Sequence, residues 1–170
     1  MLLRLLTSLC LLSLLQTSLA QQSGPDDVPE MCPATKPPMK PFVPPPPYSA
    51  RAGKDVFWYG SDELWTSLPT TGTWRGLPHS TPADRSFRQK MAWGRQGYDV
   101  HAEPWPELKV TGRRLDSPAP PLAASRASNG WVHRDQPFML VHMNFPTLGC
   151  WEITGHYGNR ELTFVVWVIQ

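Results

Sequence analysis

Cys150-Trp151-Glu152-Ile153-Thr154-Gly155-His156-Tyr157-Gly158-Asn159-Arg160-Glu161-Leu162-Thr163-Phe164-Val165-Val166-Trp167-Val168-Ile169 reads as two β-strands around one tight turn. Aromatic and β-branched residues dominate both arms and suit a pleated, half-buried surface. Gly158-Asn159 between them supplies the turn. Successive side chains of a strand point to opposite faces, so Trp151 and Ile153 share one face of the first arm. On the second arm both alternating sets are apolar, which predicts cover on both sides of that strand. A further strand precedes the pair, Pro137-Phe138-Met139-Leu140-Val141-His142-Met143-Asn144-Phe145, stopped by Pro146.

Working toward the N-terminus, Glu107 to Gly112 alternates with Leu108 and Val110 on one face, a further strand. The Pro/Ala/Ser-rich stretch 117–130 is expected as a loop. Phe87 to Tyr98 carries Gly94 and Gly97 among its aromatics, which favours a bent strand over a helix. Thr73 to Leu77 is a short strand. Asp55-Val56-Phe57-Trp58-Tyr59 and Glu63-Leu64-Trp65-Thr66-Ser67-Leu68 flank Gly60-Ser61-Asp62 and read as a hairpin. About seven to eight short strands without a convincing helix predict an all-β domain over 54–170, an immunoglobulin-like β-sandwich. Strand order is not legible at this level.

The first twenty residues are of another kind. Arg4 supplies a positive charge, Leu5 to Leu15 a leucine-rich run, and Ser18 and Ala20 the small residues of a cleavage site before Gln21. That order marks residues 1–20 as a secretory signal peptide. The apolar run is shorter than the ~20 residues that span a bilayer, so membrane contact is expected only through this segment, if it stays uncleaved. Residues 21–53 are expected as a disordered proline-rich linker, with Pro44-Pro45-Pro46-Pro47-Tyr48 near its end. Proline fixes φ and removes the backbone donor, which favours an extended, semi-rigid spacer. Proline tracts beside tyrosine also serve as ligands for aromatic grooves, but the spacer is the preferred reading. Cleavage removes Cys10 and leaves Cys32 and Cys150, which in an oxidising compartment are expected to form one disulfide. That bond would tie the neck to the start of the penultimate strand.

Sixteen Lys+Arg against fourteen Asp+Glu give a net charge of +2. So near a balance, and with no dense basic cluster, the chain has no electrostatic footprint for nucleic acid. Phe57-Trp58-Tyr59-Gly60, Leu64-Trp65, Gly72-Thr73-Trp74, Gly112-Arg113-Arg114-Leu115-Asp116, Phe145-Pro146 and Gly149-Cys150-Trp151-Glu152-Ile153-Thr154-Gly155 together resemble a group of uncharacterised exported bacterial proteins with an immunoglobulin-like β domain. The resemblance implies bacterial export and a sandwich ending in a hairpin. It carries over no activity and no site residues.

Three chemistries have candidate residues in the chain. Histidines stand at 79, 101, 133, 142 and 156, and Met139, His142 and Met143 lie close in sequence. Thioether with imidazole would suit copper, yet on a strand His142 faces away from both methionines. Cys150 with His156 lacks a following methionine for the axial position. No metal and no cofactor is expected. Hydrolysis finds no Gly-x-Ser-x-Gly and no His-Glu-x-x-His. Asp62 and Glu63 point apart on a strand, and Glu152 and Glu161 flank a hairpin end where carboxylates are usually solvated, so no catalytic residue is assigned.

Aromatic recognition remains. Eight tryptophans exceed the ordinary needs of one small core. Trp58, Trp65, Trp74 and Trp93 are the candidate binding residues, with Trp105 in the same crowd and Arg113, Arg114 and Asp116 as a polar rim; Trp151 and Trp167 are assigned to the core. The expected role is an exported, non-enzymatic binding or interaction module, periplasmic, envelope-bound or extracellular, that contacts an envelope glycan or protein through exposed aromatics. The alternatives are a structural accessory domain of an envelope assembly without a ligand, and a copper-handling exported protein.

Overall fold

The computed structural model describes residues 28–133 and 135–170. The expected signal peptide and residues 21–27 lie outside them, as does the side chain of His133. Ten strands and no helix make up the described chain: β1 Val56–Ser61, β2 Leu64–Pro69, β3 Thr73–Arg75, β4 Phe87–Gly94, β5 Lys109–Arg114, β6 Ala123–Ala124, β7 Ser128–His133, β8 Gln136–Phe145, β9 Gly149–Tyr157 and β10 Arg160–Ile169. The first sheet runs β1-β2-β4-β8, with β6 and β7 pairing in succession along β8. The second runs β3-β10-β9-β5. All pairings are antiparallel except that of β3 with β10.

The hairpin expected at the C-terminus is present, with Tyr157 opposite Arg160 and Val168 opposite Gly149. The hairpin of β1 and β2 is present too, its turn falling on Asp62-Glu63. Two expectations need correction. The stretch 117–130 is not all loop: Ala123-Ala124 forms β6, and Ser128 opens β7. These short, weakly patterned runs pair only because the long β8 offers a free edge.

The neck, too, differs from the expected free linker. Residues 28–53 do not stand clear of the domain as a spacer; they run along it as a strap. Thr35 N donates to Val165 O (2.8 Å), and Val165 N donates to Thr35 Oγ1 (2.9 Å), so the strap caps the edge of β10 next to the place where β3 joins it. A proline-rich chain can lie on a sheet without needing its ladder bonds, because its packing is through rings.

The core fills the space between the sheets. Phe57, Leu64, Leu68, Met91, Trp93, Met139, Val141, Met143 and Phe145 face inward from the first sheet; Trp74, Val110, Trp151, Ile153, Phe164, Val166 and Val168 face them from the second. Trp93 lies 5.8 Å from the Phe164 ring, and Trp74 lies 5.9 Å from Phe145. A smaller cluster sits on the outer face of the second sheet, where Cys32 is bonded to Cys150 as expected. Val165 is buried beside the bond, and Leu115 and Trp167 pack against it. The doubly apolar pattern of the last strand is thus explained by the sandwich on one side and the strap on the other. Trp167 belongs to this outer cluster and not to the main core.

Candidate functional site

Four of the eight tryptophans are sealed from solvent. Trp65 and Trp93 reach no solvent, Trp74 is 9% exposed, and Trp151 is fully buried. Trp74 and Trp93 point into the core between the sheets and offer no recognition surface, contrary to the reading from sequence, and Trp65 is covered on the outer face of the first sheet by Phe42 and Tyr48. Glycines make room for these indoles on both faces of the first sheet: a Cβ on Gly94 would lie 2.4 Å from the Trp65 ring on the outer face, and one on Gly155 2.5 Å from Trp93 in the core. Trp58 is half-buried on the outer face of the first sheet, stacked 6.3 Å from Phe138.

The polar rim also divides. Arg114 folds in, its Nε donating to Asp116 Oδ1 (2.7 Å) and its Nη2 to Asp116 Oδ2 (3.0 Å). Arg114 holds the Asp116 carboxyl below the usual carboxylate range, helped by Cys150 N, which donates to Asp116 Oδ1 at 3.0 Å. Both partners are committed to bracing the chain beside the disulfide. Arg113, 71% exposed, pairs with Glu152 (2.6 Å) on the outer face of the second sheet. Glu161 pairs with His156 (3.2 Å) and Glu63 with Arg160 (3.2 Å), so none of these carboxylates faces another as an acid–base couple. His142 is exposed, whereas Met139 and Met143 are fully buried. Among the described residues, no three His, Cys, Asp or Glu side chains are grouped to hold a metal ion.

Two tryptophans are largely exposed, Trp105 (59%) and Trp131 (52%). Trp105 stands at the lip of a groove of about 680 Å³. Its position follows from alternation. From Trp105 to Val110, residues Pro106, Leu108 and Val110 are buried, while Trp105, Glu107 and Lys109 are exposed and line the groove. The opposite wall is Ala124-Ser125-Arg126, between β6 and β7, and the floor is closed by His156 and Gly158. Ser125 is fixed by a reciprocal pair with β8: its N donates to His142 O (2.9 Å), and His142 N donates to its Oγ (3.0 Å). That places the Arg126 guanidinium 5.0 Å from the centre of the Trp105 ring, a cation on an aromatic face.

The loop that presents Trp105 is pinned from behind. Asp99 caps its own turn, accepting from His101 N (2.8 Å) and Ala102 N (3.4 Å), and these backbone donors lower its pKa. Glu103 receives both Arg95 and the Tyr157 hydroxyl. Burial opposes the Arg95 charge, but hydrogen bonds to Tyr157 and Glu103 hold its pKa above the ordinary value. The Arg95 guanidinium lies 5.1 Å from the Tyr157 ring and 5.7 Å from Tyr98. Burial, reinforced by the Glu103 charge, pushes the Tyr98 hydroxyl up to about 12, so it stays protonated and donates to Asn129 Oδ1.

The groove offers an aromatic plate, two cations in Lys109 and Arg126, an imidazole, and a carboxylate in Glu107. This set can stack on a ring and hydrogen-bond its substituents. Of the aromatic crowd and polar rim named from sequence, Trp105 lines it, and Trp58, Trp65, Trp74, Trp93, Arg113 and Arg114 do not. The signal for Trp105, Glu107 and Lys109 was present in the alternation around Leu108. Arg126 had none, since only the pairing of distant strands brings it there. No protein-family model matches the chain, and neither a curated protein nor a solved structure matches it.

Proposed function

We propose that this chain is an exported, non-enzymatic binding module built as an immunoglobulin-like β-sandwich, and that it contacts an envelope glycan or protein through the Trp105 groove. The observation that carries this reading is an indole 59% exposed at the mouth of a polar groove, with Arg126 seated on its face. A flat exposed indole is costly to leave in water and gains on stacking against a sugar ring or an apolar side chain. Polar side chains around it supply orientation. The secretory signal in the sequence supports export, and so does the Cys32–Cys150 disulfide, a bond that persists in oxidising compartments.

The sealed state of Trp65, Trp74, Trp93 and Trp151 favours a second reading, a structural accessory domain of an envelope assembly with no ligand. Glycan arrays and envelope pull-downs on the full chain, repeated with Trp105→Ala and Arg126→Ala, separate the two. A recognised ligand should lose roughly ten- to a hundredfold in affinity with Trp105→Ala. Binding by neither probe class, or binding indifferent to Trp105, would remove the recognition role and leave the accessory one.

A further inference from the structure

The outer face of the first sheet carries Trp58 on β1, Trp65 on β2 and Phe138 on β8, and the proline-rich strap lies across them. Phe42 packs 5.7 Å from Trp65; Tyr48 lies edge-on to Trp65 at 5.2 Å and 5.0 Å from Phe138. Pro44 is buried between these two rings in sequence. The body reads the strap through its exposed backbone groups: Trp58 Nε1 donates to Ser49 O (2.9 Å) and Gln136 Nε2 to Pro47 O (3.1 Å). The Tyr48 hydroxyl donates to Pro137 O (2.6 Å).

Aromatic plates together with indole and amide donors aimed at free carbonyls are the chemistry by which proline-rich chains are recognised. Such segments offer unpaired carbonyls and lose little entropy on docking. We propose that the Trp58–Trp65–Phe138 face is a proline-recognition groove occupied by the chain's own strap, and that it accepts in trans an extended segment of the same chemistry from another protein, an aromatic residue followed by a proline run ending in tyrosine.

Three observations separate this from simple core packing. The ladder beneath is built without the strap, since β1 pairs with β2, β2 with β4 and β4 with β8. Open recesses flank the strap: one of 390 Å³ between Pro38, Lys40 and Phe42 and the Trp58–Gly60 edge, and one of 280 Å³ beyond Val43 and Trp58. Finally, the Trp65 indole N–H is buried under the strap with no acceptor. The strap is tethered at both ends, by Cys32 and by β1, so its effective concentration is on the order of millimolar. A competitor in trans is therefore weakened by the small fraction of open groove.

The test uses the full chain with the disulfide intact. Phe42→Ala/Tyr48→Ala loosens the strap, and a synthetic peptide of residues 40–50 is titrated by calorimetry. The peptide should bind saturably, at least roughly tenfold tighter than to the wild type. Adding Trp58→Ala should weaken it roughly tenfold, and a peptide lacking both aromatic rings should not bind. Tyr48→Phe, which deletes only the hydroxyl, serves if the double variant does not fold; it should give a smaller gain of the same sign. No saturable binding to a folded strap variant, or binding indifferent to Trp58, overturns the proposal. Dimerisation of the wild type on concentration overturns it too, because the occupant would then be a second copy's strap.

Discussion

Asp116 and Arg114 illustrate how single residues set this molecule's tolerance to change. Their pair is nearly buried, with side chains 10% and 19% exposed, and it sits where Cys150 N also needs an acceptor. Gly149 alongside has φ of +136°, and a Cβ there would come 2.4 Å from Arg114 Nε, so glycine is required twice over. Replacing the carboxylate with an amide removes its charge and one of the two oxygens that accept from Arg114, and leaves that cation without a counter-charge. Asp116→Asn is expected to lower unfolding free energy by roughly 2–3 kcal/mol at pH 7 in urea titrations. The sign with pH follows from the depressed carboxyl: its stabilisation is present above the ordinary value of 3.8 and disappears as pH falls through the lower folded value. The variant should therefore lose its deficit at low pH. A deficit that persists unchanged to pH 2 would show that the charge is not its source.

Between strands, spacing matters more than sequence. Gly155 on β9 faces Trp93 on β4, so the narrowest residue of one sheet meets the widest of the other. Gly155→Ala would place a methyl carbon 2.5 Å from the indole, and sheets held by their own ladders cannot separate locally. Overpacking of this kind costs about 1–3 kcal/mol, and thermal unfolding should report it. An alanine tolerated without loss would mean that Trp93 has another rotamer to adopt. The same scale explains what was legible beforehand. β8, β9 and β10 are long, rich in apolar strand-forming residues and bounded by Pro146 and Gly158, so local pattern and final structure agree. β6 and β7 are short and rich in Ala, Ser and Asn, and their pairing depends on β8, a neighbour that alternation within a segment does not reveal. β3 joins β10 in parallel after a long excursion of the chain, again a non-local event. The candidate groove shares this limit: Trp105, Glu107 and Lys109 belong to one alternating run, whereas Arg126 arrives from the link between β6 and β7 and His156 from β9.

At the scale of the whole chain, the neck is what composition alone misassigned. Proline content excludes helix and sheet, but it does not exclude docking on aromatic surface, and the unusual number of indoles here is partly accounted for by that second, outer packing layer. The Cys32–Cys150 bond, 118 residues apart in sequence, fastens the layer to the sandwich at the opposite face from the Trp65 groove. Closing so long a loop removes unfolded-state entropy worth about 4–5 kcal/mol in the chain-entropy picture. The bond also keeps Thr35 on the edge of β10, which would otherwise present free backbone groups next to β3. Cys32→Ser/Cys150→Ser is accordingly expected to lower unfolding free energy by about 4 kcal/mol in urea, with the sandwich still formed at low denaturant. Acrylamide should then quench more of the tryptophan fluorescence, because the freed strap uncovers Trp58 and Trp65. A double variant as stable as the wild type would mean that the strap holds by its rings alone. One that is destabilised but equally protected from acrylamide would place the bond's effect wholly in the unfolded chain.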